Sequence, residues 1–196
     1  MNRFCALWVA GVFALPGGAM ADVINFDDLG VGVEVTNQYG SAVFSTIGGQ
    51  QNLTLQYGFG NILCTAENGA PNCLKPTFVD FPNPVNGLTF VAVEPNEFGV
   101  VATISVFQKG NHTADVDLIG LGMNPGEFGY GNKSVDLSGY SNITRIELRG
   151  PDGGDLDNAY SGSGIGWDEF SFTVVPSPGA GALFGFAAAV AARRRR

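Results

Sequence analysis

Short runs in which apolar and polar residues alternate recur along the chain, and they predict β-strands with one buried face. In the segment ATISVFQ, Ala102, Ile104 and Val106 alternate with Thr103 and Ser105. The segments TRIELR and DEFSFTV repeat the same period of two. Further strands are predicted at 23–26, 42–45, 53–57, 77–81, 88–93 and 115–119.

Clusters rich in glycine and proline separate these runs and predict turns, among them FPNPVNG, KGN, NPGEFGYGN and PDGGD. Many short strands at this spacing predict an all-β fold, an antiparallel β-sandwich. A closed barrel is the alternative, and the uneven strand lengths and long loops favour the sandwich. Residues 22–175 are the predicted folded body, which is long enough for one hydrophobic core.

The first 21 residues have the layout of a secretory signal peptide. Arg3 precedes an apolar stretch at 4–15, helix-breaking residues follow, and Ala19-Met20-Ala21 forms a small-x-small cleavage site. We therefore expect signal peptidase to cleave after Ala21 and leave Asp22 at the mature N-terminus. A retained anchor is the alternative.

Removing the two chain ends makes the body strongly acidic. Five of the ten Lys and Arg residues lie in the end segments, so 22–175 carries five cations against all 18 acids, a net charge of −13. Nucleic acid is excluded as a partner, because phosphate binding needs clustered Lys and Arg. Cations and neutral polymers remain as candidate partners of the body.

Two cysteines stay in the body, Cys64 and Cys73, in the segment CTAENGAPNC. An even pair in an exported protein predicts a disulfide. A zinc site is the alternative, but the body offers no further cysteine and a single histidine, His112.

The C-terminal segment, 176–196, has three parts. Pro176, Ser177 and Pro178 begin a linker, and 180–192 is apolar and uncharged. At 13 residues it is shorter than the roughly 20 of a spanning helix, so we expect a short helix that tethers the protein only transiently. The chain ends in four cations that are expected to stay on the cytoplasmic side of the membrane, Arg193, Arg194, Arg195 and Arg196.

This three-part layout, paired with a signal peptide, resembles the PEP-CTERM sorting signal of Gram-negative bacteria, with Pro-Ser-Pro in place of Pro-Glu-Pro. The resemblance covers about 175–196 and implies recognition and cleavage by a membrane-embedded protease of the exosortase type. An ordinary C-terminal anchor is the alternative. The segments INFDDLGVGVEVTNQYGSAVFS and GIGWDEFSFTVVPSP resemble ectodomains attached to such tails, which are similar to jelly-roll carbohydrate-binding modules.

Two acidic pairs lie at the ends of the first and last predicted strands, Asp27 with Asp28 and Asp168 with Glu169. Asp28 shares strand parity with Phe26, and Asp168 with Phe170, so both carboxylates are expected to face the core. A buried carboxylate needs a partner, and a structural Ca²⁺ ion would provide one. Carboxylates that accept backbone N–H bonds at a wet rim are the alternative. A second acidic loop, 152–158, offers oxygen ligands but misses the EF-hand spacing.

Aromatic residues with polar neighbours could stack on sugar rings. Tyr57, Phe59 and Tyr130 lie in glycine-rich turns and are the candidate carbohydrate-binding residues, while several other aromatics are expected in the core. Tyr39, Tyr140 and Trp167 complete the set of candidates.

Catalytic residues have little support in the sequence. The one histidine has no nucleophile elbow near it, and abundant carboxylates are also what an acidic surface contains. The expectation is an exported, non-enzymatic protein of the cell surface or extracellular matrix that associates with exopolysaccharide. A lectin-like module is the alternative, and a secreted hydrolase is the third.

Overall fold

The computed structural model describes residues 21–58, 60–95, 99–122, 131–156 and 164–176. These residues form an all-β structure of antiparallel strands. Their bounds are β1 Ala21–Ile24, β2 Val43–Thr46, β3 Gln51–Tyr57, β4 Gly60–Glu67, β5 Ala70–Pro71, β6 Thr77–Val93, β7 Val100–Gln108, β8 Asn111–Ile119, β9 Asn132–Asp136, β10 Ile143–Arg149 and β11 Gly166–Val174.

Strand β6 joins two halves of the structure, because its two ends pair with different strands. Its N-terminal part lies between β2 and β10, and β7 and β8 follow beyond β10. Its C-terminal part lies between β11 and β9, and β11 has β1 and β4 on its other side. Inward residues of both halves belong to one core, as expected of a β-sandwich.

Aromatic rings fill the centre of this core. Phe170 stacks on Phe90 with ring centroids 5.1 Å apart, and it meets Phe44 edge-on at 5.6 Å and Phe26 at 6.1 Å. All four side chains are at most 1% exposed. Burial of these large rings, from three strands and one loop, contributes strongly to the stability of the core.

The predicted strands are confirmed, but β4, β5 and β9 were not predicted, and one predicted turn is wrong. The segment FPNPVNG, predicted as a turn, lies inside β6. Pro82 and Pro84 lack the N–H that a ladder needs, and they fall between Asp80 and Val85, where β6 changes partners. Prolines are tolerated there because few ladder bonds are made.

The two ends of the described body lie next to each other. Ala21 pairs with Thr173 across the β1–β11 ladder, and the Val175 N–H donates to the Pro84 carbonyl at 2.8 Å. The predicted signal peptide up to residue 20 and the tail 177–196 lie outside the described residues, and only Ala21 and Pro176 of these two segments fall within them. Across the described ranges, no helix has the length and hydrophobicity of a membrane span.

Candidate functional site

The predicted disulfide is confirmed: Cys64 in β4 is bonded to Cys73, which follows β5. Asn68 and Gly69 both have positive φ and form the turn between β4 and β5, a conformation that Asn-Gly favours. The Thr65 carbonyl accepts the N–H of Cys73 at 3.0 Å. The hairpin therefore brings the two sulfur atoms together without long-range contacts.

Two of the predicted acidic residues, Asp27 and Asp28, lie in the turn after β1. The Tyr39 hydroxyl donates to Oδ1 of Asp28 at 2.7 Å, and the Asn61 N–H donates to Oδ1 of Asp27 at 2.8 Å. Asp28 is exposed, so the prediction that it faces the core is wrong. The reason is Phe26, whose φ of 58° interrupts the strand and its alternation.

Asp168 and Glu169 occupy a β-bulge in β11. Asp168 pairs with Val91 of β6, and Ser171 with Thr89, so β11 carries one extra residue there. Trp167 and Phe170 on either side are both buried, and the parity from which Asp168 was predicted to face the core does not hold across the bulge. Asp168 is half-buried, and Glu169 is exposed with a φ of 50°.

The pKa values of this cluster reflect burial and crowding of negative charge. Burial raises the pKa of Asp168 to about 7, although the Glu169 N–H donates to it at 2.7 Å, and the neighbouring Glu169 and Asp27 raise it further. Burial, the hydrogen bond to Asp28 and the three nearby aspartates raise the pKa of Tyr39 above its ordinary value. The first and last strands thus bring Asp27, Asp28 and Asp168 together around one phenol.

Calcium binding by these acids stays a prediction. In the described ranges, no group of three or more His, Cys, Asp or Glu side chains has the geometry of a metal site. Instead, Asp27, Asp28 and Asp168 each accept a hydrogen bond from a different donor. Two of these donors, those of Asn61 and Glu169, are backbone N–H groups, and the third is the Tyr39 hydroxyl. In the second acidic loop, Asp155 pairs with Lys75 at 2.6 Å.

Of the candidate sugar-stacking residues, Tyr57 ends β3 and is half-buried. Phe59 and Tyr130 lie outside the described residues. Trp167 is 1% exposed, and Tyr39 and Tyr140 pack against the core. Three of the six aromatics are thus taken up by packing.

Among the described residues, His112 does not form a Ser–His–Asp triad. Ser105 Oγ donates to Oδ1 of Asp115 at 2.6 Å, and His112 Nε2 contacts the same oxygen at 2.9 Å. The carboxylate therefore lies between the hydroxyl and the imidazole, whereas a nucleophilic serine needs the imidazole beside it. The hydrogen bonds from Ser105 and then His112 lower the pKa of Asp115.

The outward side of β6, β10, β7 and β8 carries a paired charge network that the sequence pattern did not single out. Glu147 accepts from Arg145 Nε at 2.9 Å and also from Arg149, and Arg145 contacts Asp80 at 3.2 Å. Both guanidinium groups lie over the Phe78 ring, at 4.9 and 5.4 Å from its centroid. Each charge has a partner, as expected of a structural network.

A groove of about 240 Å³ lies on the outward side of the other half. It crosses four strands, with β11 and the C-terminal part of β6 at its floor and β1 and β9 at its sides. Its lining residues are Val23, Asn25, Thr89, Phe90, Val91, Ser134, Glu169 and Ser171. No local sequence pattern predicts this groove, because its residues come from four distant segments.

No protein-family model matches the chain, and no curated protein sequence matches it either. Among solved structures, the chain is similar to the K2 cleaved adhesin domain of Lys-gingipain, with a TM-score of 0.47 and 13% identity over 79% of this chain and 98% of that one. It is also similar to the K3 cleaved adhesin domain of Lys-gingipain from Porphyromonas gingivalis w83, with a TM-score of 0.40 and 12% identity over 72% and 97%. Both identities and both TM-scores are too low to indicate a shared function.

Proposed function

We propose that this chain is an exported, non-enzymatic protein of the cell surface or extracellular matrix that associates with exopolysaccharide. The observation that carries the proposal is the Cys64–Cys73 disulfide in the body. Such bonds persist in oxidising compartments outside the cytoplasm. The signal-peptide layout and the strongly acidic body agree with that location.

Sorting is proposed to depend on the tail. Signal peptidase removes residues up to Ala21, the apolar segment tethers the protein transiently at the inner membrane, and an exosortase-type protease acts near Pro176-Ser177-Pro178. The basis is the resemblance of this segment to PEP-CTERM signals, with the four terminal arginines on the cytoplasmic side.

The finer fold proposed for the body is a jelly roll. Support comes from β6, which runs through both halves, and from the pairing of the first strand, β1, with the last, β11. The non-enzymatic proposal is supported by the Ser105–Asp115–His112 contacts, in which no imidazole can activate the serine.

The proposal is tested by localising the protein in its own organism. We compare the wild-type chain with a variant in which Arg193–Arg196 are replaced by alanine, and with a chain that ends at Val175. The wild type is expected in the matrix fraction, the arginine variant is expected to be missorted, and the truncated chain is expected to be released without matrix retention. Wild-type protein in the cytosol would contradict export.

A lectin-like module is the second candidate, and the groove across β1, β11, β6 and β9 favours it. A concave, partly polar surface suits a sugar better than it suits a flat protein contact. Binding of purified body to immobilised polysaccharide separates this candidate from a protein that is merely trapped in the matrix.

A further inference from the structure

Resting on the proposed function, we infer that the groove across β1, β11, β6 and β9 binds one neutral sugar residue of an extracellular polysaccharide. The Glu169 carboxylate is the central acceptor. The other polar groups of the lining are the Asn25 amide and three hydroxyl groups, those of Thr89, Ser134 and Ser171.

The strand register places these groups side by side. Val23, Ser171 and Thr89 form one row across β1, β11 and β6. Val91 and Ser134 form the next row across β6 and β9. Adjacent strands lie about 4.8 Å apart, so four strands give a floor roughly 14 Å wide, which is ample for one sugar ring.

Four of the five polar side chains that line the groove lack partners among the described residues, and the fifth, Asn25, accepts the N–H of Asp27 at 3.4 Å. Within the described part of the chain, the side chains of Thr89, Ser134, Ser171 and Glu169 make no hydrogen bond or ion pair. The charge network on the outward side of the other half differs in this respect, because Glu147 and Asp80 both pair with Arg145. Converging groups with free hydrogen-bonding capacity are what a ligand site requires.

The bulge in β11 explains why a carboxylate lies at the groove. Its extra residue keeps Trp167 and Phe170 both buried while Glu169, between them, reaches the outer surface. Bulges commonly redirect a side chain next to a binding site. A regular strand would place residues 168 and 169 on opposite faces and could not hold both flanking aromatics in the core.

The chemistry of the lining favours a neutral sugar. A carboxylate can accept hydrogen bonds from two adjacent sugar hydroxyls, and serine and threonine both donate and accept. Val23, which is 60% exposed, and Val91 offer apolar contact to C–H groups. The described lining residues include no Lys or Arg, and Asp168 adjoins them, so an anionic sugar would be repelled. The volume of the groove, about 240 Å³, suits a single sugar ring.

The test uses the purified mature chain with three probes: neutral polysaccharide from the native culture, dextran and alginate. Affinity is measured by gel retardation and by amide NMR shifts on titration. The native neutral polysaccharide is expected to bind, with shifts at Thr89, Ser134 and Ser171, and alginate is not. Glu169→Gln and Thr89→Val are each expected to weaken binding by about tenfold or more.

Matched controls keep this result interpretable. Thr103→Val and Asp115→Asn make the same chemical changes on the other half, where Thr103 contacts Asp117, and are expected to bind as the wild type does. Circular dichroism confirms that each variant is folded. The inference is overturned if no neutral probe binds, or if binding is unchanged in both groove variants.

Failure here is distinguishable from failure of the proposed function. If the protein is exported and retained in the matrix but its groove variants bind polysaccharide as the wild type does, sugar binding in the groove is refuted. The proposed role of the protein is then unaffected. A protein found in the cytosol refutes the role, whatever its purified form binds.

Discussion

The Tyr39 hydroxyl donates a 2.7 Å hydrogen bond to Oδ1 of Asp28 and joins the turn after β1 to the loop before β2. The same phenol lies close to Asp27 and Asp168, so one neutral donor stands among three carboxylates from opposite ends of the chain. Two of the predictions below depend on this crowding.

The first prediction concerns stability against pH. Asp168 has a folded pKa of about 7, above its ordinary 3.8, so between these values the native state binds more protons than the unfolded state and stability falls as pH rises. The free energy of unfolding in EDTA should therefore be higher near pH 5 than near pH 8. Asp168→Asn should reduce that difference, whereas Asp152→Asn, in an exposed turn, should not. An unchanged pH profile in Asp168→Asn would contradict the pKa shift.

The calcium prediction gives the opposite pH behaviour. A bound cation favours the ionised carboxylate, so added Ca²⁺ should stabilise the protein most near pH 8 and lose its effect in Asp168→Asn. A site filled at 100 times its Kd would contribute about 2.7 kcal/mol. The prediction is wrong if the melting temperature is the same in Ca²⁺ and EDTA and native mass spectrometry finds no bound ion.

The third prediction concerns the disulfide. Cys64 and Cys73 are nine positions apart, and closing so short a loop stabilises the folded state by about 2.5 kcal/mol on the chain-entropy model. Replacing both cysteines by serine should lower the free energy of unfolding in urea by about that amount, and wild-type protein in reductant should match the variant. If reductant has no effect on the wild type, the bond does not contribute.

The fourth prediction concerns the aromatic core. Phe170→Ala should destabilise the protein by about 3–5 kcal/mol, because the ring contacts Phe26, Phe44 and Phe90 and leaves a cavity among them. Val31→Ala is the control, since Val31 is 58% exposed, and it should change stability by less than about 0.5 kcal/mol. Equal effects in urea denaturation would contradict the placement of Phe170.

The fifth prediction concerns the network on β10. Glu147 is 7% exposed and accepts hydrogen bonds from both Arg145 and Arg149. Glu147→Gln should therefore lower the free energy of unfolding by about 1–2 kcal/mol, because it leaves two neighbouring guanidinium groups without their shared carboxylate. Asp117→Asn, on the exposed edge strand β8, should lower the free energy of unfolding far less. A double-mutant cycle with Arg145→Met measures the coupling, and a coupling near zero would contradict the network.

The sequence predicted the fold class and the alternating strands because in β7 and β11 one face is buried and the other is more exposed. It missed β4, whose residues 62–66 are all buried, since a strand covered on both faces shows no alternation. It missed β9 because only one of its five residues, Val135, is buried.

The candidate site was predicted in part. The proximity of the acids after β1 to Asp168 followed from expecting the first and last strands to be neighbours, which β1 and β11 are. Their orientation did not follow, because parity fails wherever a residue leaves the regular strand, as Phe26 and the β11 bulge do. The groove was not predictable, since its lining depends on tertiary register that no local pattern encodes.

Export of a disulfide-bonded body is tested most directly by the intact mass of the protein purified, without reductant, from its own organism. The predicted mass is that of a chain that begins at Asp22, contains the Cys64–Cys73 bond and lacks Arg193–Arg196. A mass that corresponds to a chain from Met1 to Arg196 with free thiols would contradict it.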